Sequence, residues 1–460
     1  MISFFRQKKI KYHLFPWLSA TLIIIFIISL CLRLWGLNEL NSLVFDEIYY
    51  AKFAVNYLKQ EPFFDAHPPL GKYIIAFGIW LGQYFPINYH TTNQLTGMNL
   101  SPFNYRWINA LTGSFIPLII AGIAFELTKK RSYAIIAGIF ATIEGFFLVD
   151  SRLALINIYL VFFGCLANWF FLLSLNAKTW VKKNIFISVA GGFLGYAISV
   201  KWNGLLLLIA TYILWFIAEI IPEISWKNIR ENIWTIITQK ILPGIMALVI
   251  IPLVMYIVIW RPHLLINKMS FWQVHQKMLN YHQTLGGNDI HPYCSPWYSW
   301  LIMQRPVAYY YDDSNHIIYD IHLMGNPLLW WLGSLSILTL CLGLLKILIT
   351  HKFWPNISLK SSKWVIIYLG INYLTNFLPW MIVKRCTFIY LYMPAWIFVI
   401  LAFSFLVDYG IKQAQSQIKM ILFTLIFLII ASFIFWLPIY IALPLSEYDF
   451  NLRMLLKTWI

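Results

Sequence analysis

Apolar runs of about 18 to 25 residues recur along this chain from end to end, each able to cross a hydrocarbon core of roughly 30 Å. No soluble core has room to bury so many. Strands of a β-barrel would be short and would alternate in polarity, so that alternative is set aside. The 460 residues are 60% hydrophobic and 11% charged, whereas a soluble domain is about a quarter charged. The fold class expected is an all-α polytopic membrane protein. Eleven spans can be drawn: Trp17 to Trp35, Trp107 to Leu127, Tyr133 to Val149, Leu153 to Leu175, Ile185 to Val200, Leu205 to Ile221, Ile241 to Trp260, Leu328 to Thr350, Trp364 to Val383, Phe388 to Val407 and Met420 to Leu443.

The net charge of +16 is read from its placement. Lys8, Lys9 and Lys11 precede the first span. Further clusters are Lys129, Lys130 and Arg131; Lys178, Lys182 and Lys183; Lys227 and Arg230; Lys352, Lys360 and Lys363; and Lys412 and Lys419. Each lies in a short connection on every second crossing, as expected for cytoplasmic loops. This puts the N-terminus in the cytoplasm and the C-terminus outside. The basic charge thus reports topology; no basic soluble domain exists to bind nucleic acid. The basic and then apolar N-terminus shows no small-residue cleavage site and reads as a retained first helix.

Two stretches break the pattern. In the first outer loop, 36–105, residues Asp46 to Gln60 read as an amphipathic helix, with Ile48, Tyr49, Phe53 and Tyr57 on one side and Lys52, Asn56 and Lys59 on the other. Leu70 to Phe85 is apolar but short, and its basic start at Lys72 suits a helix lying in the interface. The second stretch, 261–326, is rich in Trp, Tyr, His and Asp, with Asp289 among its acids, and suits a half-wet surface. The chain divides into a membrane region 1–260, this outer loop 261–326, and a four-helix region 327–460. Cys31, Cys165 and Cys341 lie in apolar runs; Cys294 and Cys386 fall on or near the outer side and could pair.

With the lysine clusters inside, Asp46, Glu47, Asp65, His67, Lys72, Arg106, Asp150, Arg152, Lys201, Lys384 and Arg385 all fall at the outer leaflet. Ionisable residues at membrane depth mark substrate paths or reaction centres. Cations there oppose the topology rule and call for an anion, and Arg and Lys pair strongly with phosphate. A polyprenyl-phosphate sugar has a tail suited to helices and a headgroup suited to this face. Its phosphate leaves without a general acid and is stabilised electrostatically. The acceptor hydroxyl needs one base, which Asp46 or Glu47 supplies. The competing structural readings are an N-cap for Asp46, a rigid corner for His67-Pro68-Pro69, snorkelling for Arg106 and Lys201, and a bridge from Arg152 to Asp150 or Glu144. The histidine spacing fits no compact metal motif.

Phe45-Asp46-Glu47, followed after about 20 residues by His67-Pro68-Pro69-Leu70-Gly71-Lys72, resembles the first outer loop of the protein O-mannosyltransferases. These are polyprenyl- or dolichyl-phosphate-mannose-dependent enzymes of GT-C architecture. Tyr105-Arg106-Trp107-Ile108-Asn109-Ala110 with Gly113, Asp150-Ser151-Arg152, and Ser199-Val200-Lys201-Trp202-Asn203-Gly204 are similar to later elements of that family. So are His291-Pro292-Tyr293-Cys294-Ser295 with Trp297, Gly325-Asn326-Pro327 with Trp330-Trp331, and Arg385 with Phe388-Ile389-Tyr390 and Tyr392-Met393-Pro394-Ala395. The resemblance covers nearly the whole chain and implies inverting transfer of mannose to Ser or Thr of exported proteins at the outer face of the cell membrane. It implies Asp46 as general base, with Glu47 beside it, and a donor-phosphate site drawn from His67, Lys72, Arg106, Arg152, Lys201 and Arg385. His291 and Tyr390 are expected at acceptor or loop contacts.

Two departures stand out. The outer loop is too short for the soluble MIR module of eukaryotic members, and Asn157 stands where the family often has an acid. No cofactor is called for, although a divalent cation on Glu47 stays open. The expected partners are the lipid-linked donor, an exported protein and the bilayer. The alternatives are a GT-C transferase acting on a lipid or envelope glycan, and a transporter of lipid-linked sugars. The transporter is disfavoured because the charges gather at one face and no repeat is present.

Overall fold

The computed structural model describes residues 16–85, 92–223, 232–284, 286, 291–350, 358–359, 361–413 and 415–460. Lys8, Lys9, Lys11, Lys227, Arg230, Asp289, Lys352 and Lys360 lie outside them. Among the described residues ten helices are long and apolar enough to cross a membrane, and a bent pair makes an eleventh. In order, the first half has α1 (Pro16–Leu34), α2 (Glu47–Lys59), α3 (Leu70–Gly82), α4 (Pro102–Thr128), α5 (Arg131–Thr142), α6 (Gly145–Ser151), α7 (Asn157–Leu175) and α8 (Trp180–Val200). Then come α9 (Gly204–Glu223), α10 (Asn232–Asn267) and α11 (Phe271–Thr284), followed by strands β1 (Val307–Ser314) and β2 (Ile317–Leu323). The last part holds α12 (Pro327–Thr350), α13 (Ser362–Ile382), α14 (Ile389–Gln413), α15 (Ser416–Ile441), β3 (Leu445–Ser446) and α16 (Glu447–Arg453). The protein is a multi-pass membrane protein. Helix α14 runs through its centre, almost wholly buried, while α1, α10 and α15 leave most of their surface for lipid.

The third span departs from the straight helix expected over Tyr133 to Val149. It bends by 56° between α5 and α6. Glu144 sits at the break and caps α6: its carboxylate accepts from the Phe146 N–H and from the Asn326 N–H. An acid that caps a new helix start satisfies donors a bend would strand. The apolar run alone concealed this, because both halves are equally hydrophobic.

Helix α3 is 13 residues long, about 20 Å at 1.5 Å per residue, too short to cross. It lies close on α4 and α7 because two glycines permit it. A Cβ at Gly78 would stand 2.4 Å from Ile108, and one at Gly71 would stand 2.7 Å from Ile156. Helix α2 forms where expected, but its buried face is turned from the expected apolar one, with Phe53 and Tyr57 only partly buried at its margin. Glu47, Tyr50, Ala51, Ala54 and Val55 are buried, while Ile48 and Tyr49 are exposed beside Lys52. Close packing selects the small residues Ala51 and Ala54 at the centre of this face, and Ile48 and Tyr49 remain for lipid or loop.

The outer region contains a small sheet that the all-α expectation left out. β1 pairs antiparallel with β2, and β2 with β3. The register slips between Ala308 and Tyr310, leaving Tyr309 as the extra residue of a bulge.

Ion pairs tie the connections together at one end of the bundle. Lys130 and Lys412 both approach Asp408, and Lys183 and Lys240 share Glu219. At the other end Cys294 is bonded to Cys386. The two backbones run together there: the Ser295 N–H donates to the Thr387 carbonyl at 2.8 Å, and the Thr387 hydroxyl returns to the Ser295 carbonyl at 2.7 Å. Closing so long a loop stabilises by restricting the unfolded chain. Cys294→Ser is expected to cost about 2–4 kcal/mol, read as a lowered thermal midpoint in detergent. Alkylation of both thiols in unreduced wild type would contradict the bond.

Candidate active site

The centre of the site is set by Glu47, whose carboxylate is completely used. Oε2 accepts from the Val44 N–H at 3.0 Å and from Arg106 Nη2 at 2.7 Å. Oε1 accepts from Arg106 Nε at 2.9 Å and from the Ala154 N–H at 2.7 Å. Arg106 spends its remaining donors on the carbonyls of Leu37, Leu40 and Ser42. Both residues are buried. A buried pair this well bonded withstands its desolvation cost, and losing one member leaves a naked charge.

This corrects the assignment of Arg106 to the donor phosphate: no guanidinium donor is left for one, and Arg106 instead holds the first loop onto α4. Arg152 does not bridge to Asp150 or Glu144, and only one of its nitrogens is engaged among the described residues. Its Nη1 donates to the carbonyls of Leu32, Arg33 and Trp35, closing the end of α1. Lys72 is also removed from the phosphate set. Buried, it pairs with Asp65 and donates to the His67 carbonyl at 2.7 Å, so it staples the Pro-Pro corner.

The turn held by Glu47 puts Phe45 at φ 52°, an uncommon conformation for a bulky residue. Asp46 follows. It stands at the head of α2 but makes no side-chain cap bond, which removes the capping explanation. Among the described residues no donor bonds its carboxylate; Lys201 and Asp65 are the charges within reach. Burial raises Asp46 to about 6, Lys201 opposes this and Asp65 adds to it.

Lys201 ends α8. Its Nζ donates to Asn157 Oδ1 at 3.0 Å and lies 4.8 Å over the Tyr390 ring. Burial lowers it to about 8, against the pull of Asp46. Asn157 in turn donates to Asp150 Oδ1 at 3.2 Å. The amide therefore joins an acid to a base at the position where the sequence pattern favours a carboxylate.

From this charged head an apolar cavity of about 500 Å³ runs between α9 and the stretch after α13. His67, Lys201, His282 and Arg385 line its polar end, and Leu205, Leu206, Ile209, Trp380, Ile382 and Leu391 its wall. Burial, together with the Lys201, Lys72, His282 and Arg385 charges, holds His67 well below the usual histidine range, so it is a neutral hydrogen-bonding group. Arg385 is half-buried, in the segment stapled by the disulfide. Tyr390 lies against Phe45, and His291 is exposed at the rim beside Phe388, with ring centroids 5.3 Å apart.

Of the eight donor and acceptor candidates, the fold thus groups His67, Lys201, Arg385 and Tyr390. His282 and Trp202 join them without having been singled out. His282 could have been found by its place seven residues after His275, on one face of a helix; Tyr309 carries no such signal. Among the described residues no three His, Cys, Asp or Glu side chains gather as metal ligands.

Residues 23–271 match the family described as dolichyl-phosphate-mannose-protein mannosyltransferase. Residues 267–459 match the C-terminal four TMM region of protein-O-mannosyltransferase. The polyprenol-phosphate-mannose–protein mannosyltransferase of Corynebacterium glutamicum is 23% identical over 96% of this chain and 93% of its own. The fold is similar to that of the Saccharomyces cerevisiae Pmt1-Pmt2 complex bound to its sugar donor, with TM-score 0.80 at 15% identity over 97% of this chain and 93% of that one. It is also similar to ArnT of Cupriavidus metallidurans bound to undecaprenyl phosphate, with TM-score 0.53 at 13% identity over 89% and 62%.

Arg106→Ala is expected to cost about 3–5 kcal/mol and to reduce folded yield. Arg385→Ala is expected to leave the thermal midpoint in place and raise the KM for donor. A raised donor KM in a fully stable Arg106→Ala protein would overturn this division.

Proposed function

This chain belongs to the dolichyl-phosphate-mannose-protein mannosyltransferase family, and from that membership we propose an inverting transfer in which Asp46 is the general base. Transfer of mannose from a polyprenol phosphate to protein is the activity named for relatives matching over nearly the full chain. The observation that carries the residue assignment is the carboxylate of Asp46, bonded to no donor among the described residues and within electrostatic reach of Lys201, which lines the polar end of the apolar cavity with His67 and Arg385.

The prenyl tail lies along Leu205, Leu206 and Ile209, and the phosphate meets Lys201 and Arg385, with the neutral imidazole of His67 as an added donor. Asp46 removes the proton from a Ser or Thr hydroxyl. The oxygen bonds to the anomeric carbon from the face opposite phosphate, and the bond from that carbon to the phosphate oxygen breaks. Lys201 and Arg385 stabilise the charge that collects on the departing phosphate. No general acid is required, so one carboxylate suffices where a hydrolase uses two. The site faces the outside, with the N-terminus in the cytoplasm. Supporting this are the lysine clusters at the opposite end and a disulfide, which persists in oxidising compartments.

The base must be ionised and Lys201 protonated. With Asp46 raised to about 6 and Lys201 lowered to about 8, kcat/KM is expected to rise with pH through about 6 and fall through about 8. A profile flat from pH 5 to 9 would contradict the assignment. Asp46→Asn is expected to lose about 10²–10⁴-fold in kcat while still binding polyprenyl-phosphate-mannose. The assay is transfer of labelled mannose to a Ser/Thr-rich peptide in membranes. Label appearing in lipid or glycan instead would favour the alternative acceptor class.

A further inference from the structure

Two polar atoms beside Asp46 have no use in the chemistry described. Asp150, at the end of α6, is fully buried. Its Oδ1 accepts from Asn157, whereas Oδ2 has no partner among the described residues. Tyr309 is 6% exposed, and its hydroxyl also has none. Buried polar atoms are rarely left unpaired, and each such case asks for a partner.

The position of Tyr309 comes from the bulge in β1, which leaves it outside the strand register. Bulges re-aim side chains and recur next to active sites. The ring stacks on Phe45 at a centroid distance of 4.2 Å and an angle of 16°. Phe45 directly precedes Asp46. The Tyr309 hydroxyl lies within electrostatic reach of Asp150, Tyr390, Asp46 and Tyr50. Asp150 is tied to the same place from the other side, through Asn157 to Lys201. The two unused atoms therefore lie close to both the base and the cation that meets the phosphate.

In the reaction, what stands between the base and the phosphate is the group being transferred. A prenyl chain offers no polar atom, and the acceptor hydroxyl is committed to Asp46. A hexose ring carries several hydroxyls, each both donor and acceptor, and matches a carboxylate oxygen that accepts and a phenol that donates. Resting on the mannosyl-transfer reading above, we propose that Asp150 Oδ2 and the Tyr309 hydroxyl form the sugar-binding subsite, holding the ring hydroxyls while Asn157 and Lys201 fix its distance from the phosphate.

The test separates sugar from phosphate. Tyr309→Phe keeps the stack on Phe45 and removes only the hydroxyl; Asp150→Asn keeps an oxygen for Asn157. Two quantities are measured for each: kcat/KM for polyprenyl-phosphate-mannose, and the inhibition constant of polyprenyl phosphate lacking a sugar. A neutral hydrogen bond lost should lower kcat/KM about fivefold in Tyr309→Phe, and a charged one about tenfold or more in Asp150→Asn. Inhibition by the sugarless lipid should change by less than about twofold. Unchanged kcat/KM in Tyr309→Phe, or equal losses on both lipids in both variants, would overturn the subsite. Absence of mannose transfer by wild type would instead overturn the reaction on which it rests.

Discussion

Everything at the reaction centre depends on the buried carboxylate of Glu47. Its four hydrogen bonds reach three separate places in the sequence: its own turn at Val44, α4 through Arg106, and the segment after the third span at Ala154. In a low-dielectric interior such a hub works only when every lone pair is engaged, because a partial network is worse than an apolar core. Once engaged it leaves Phe45 little choice of backbone. After that forced turn Asp46 makes no cap bond to its own helix and lies within electrostatic reach of Lys201. Adjacent acids thus differ: Glu47 is consumed by structure, whereas the Asp46 carboxylate is bonded to no donor among the described residues.

The same accounting sorts the cations. At a membrane surface, several positive side chains look like one anion site, and their number alone cannot say which of them bind. The deciding quantity is how many donors each has left. Arg106 has none, Lys72 is held by Asp65 and a carbonyl, and Arg152 faces three carbonyls. Lys201 keeps one amide bond and an aromatic face. Fewer cations are therefore open to an anion than the sequence contains, and Lys201 is positioned by Asn157.

The spans were legible because hydrophobic length is a local property: each expected run overlaps an observed helix or, at the third, a bent pair. The site was legible in part for a related reason. Charges in an apolar chain are few, so Asp46, His67, Lys201 and Arg385 stand out. What could not be read was the direction each side chain takes. The faces of α2 were misjudged because amphipathicity was taken from residue type, whereas close packing against α3 buries Ala51 and Ala54. Glu144 reads in the sequence as a partner for Arg152; only the fold brings together its two N–H partners, one of them 182 residues away. Tyr309 is one of many aromatics in a Tyr-rich stretch, and only a slipped register singles it out.

The bond between Cys294 and Cys386 has a bearing on how the molecule is made. Between these residues the ribosome must deliver α12 and α13. Cys294 therefore waits, unpaired, while two more spans are threaded into the bilayer. Arg385 adjoins the second cysteine, so its segment is stapled only when that late stretch has met its partner and an oxidant. Completion of the fold around one wall of the cavity is thereby tied to the oxidation of two thiols that are synthesised two spans apart.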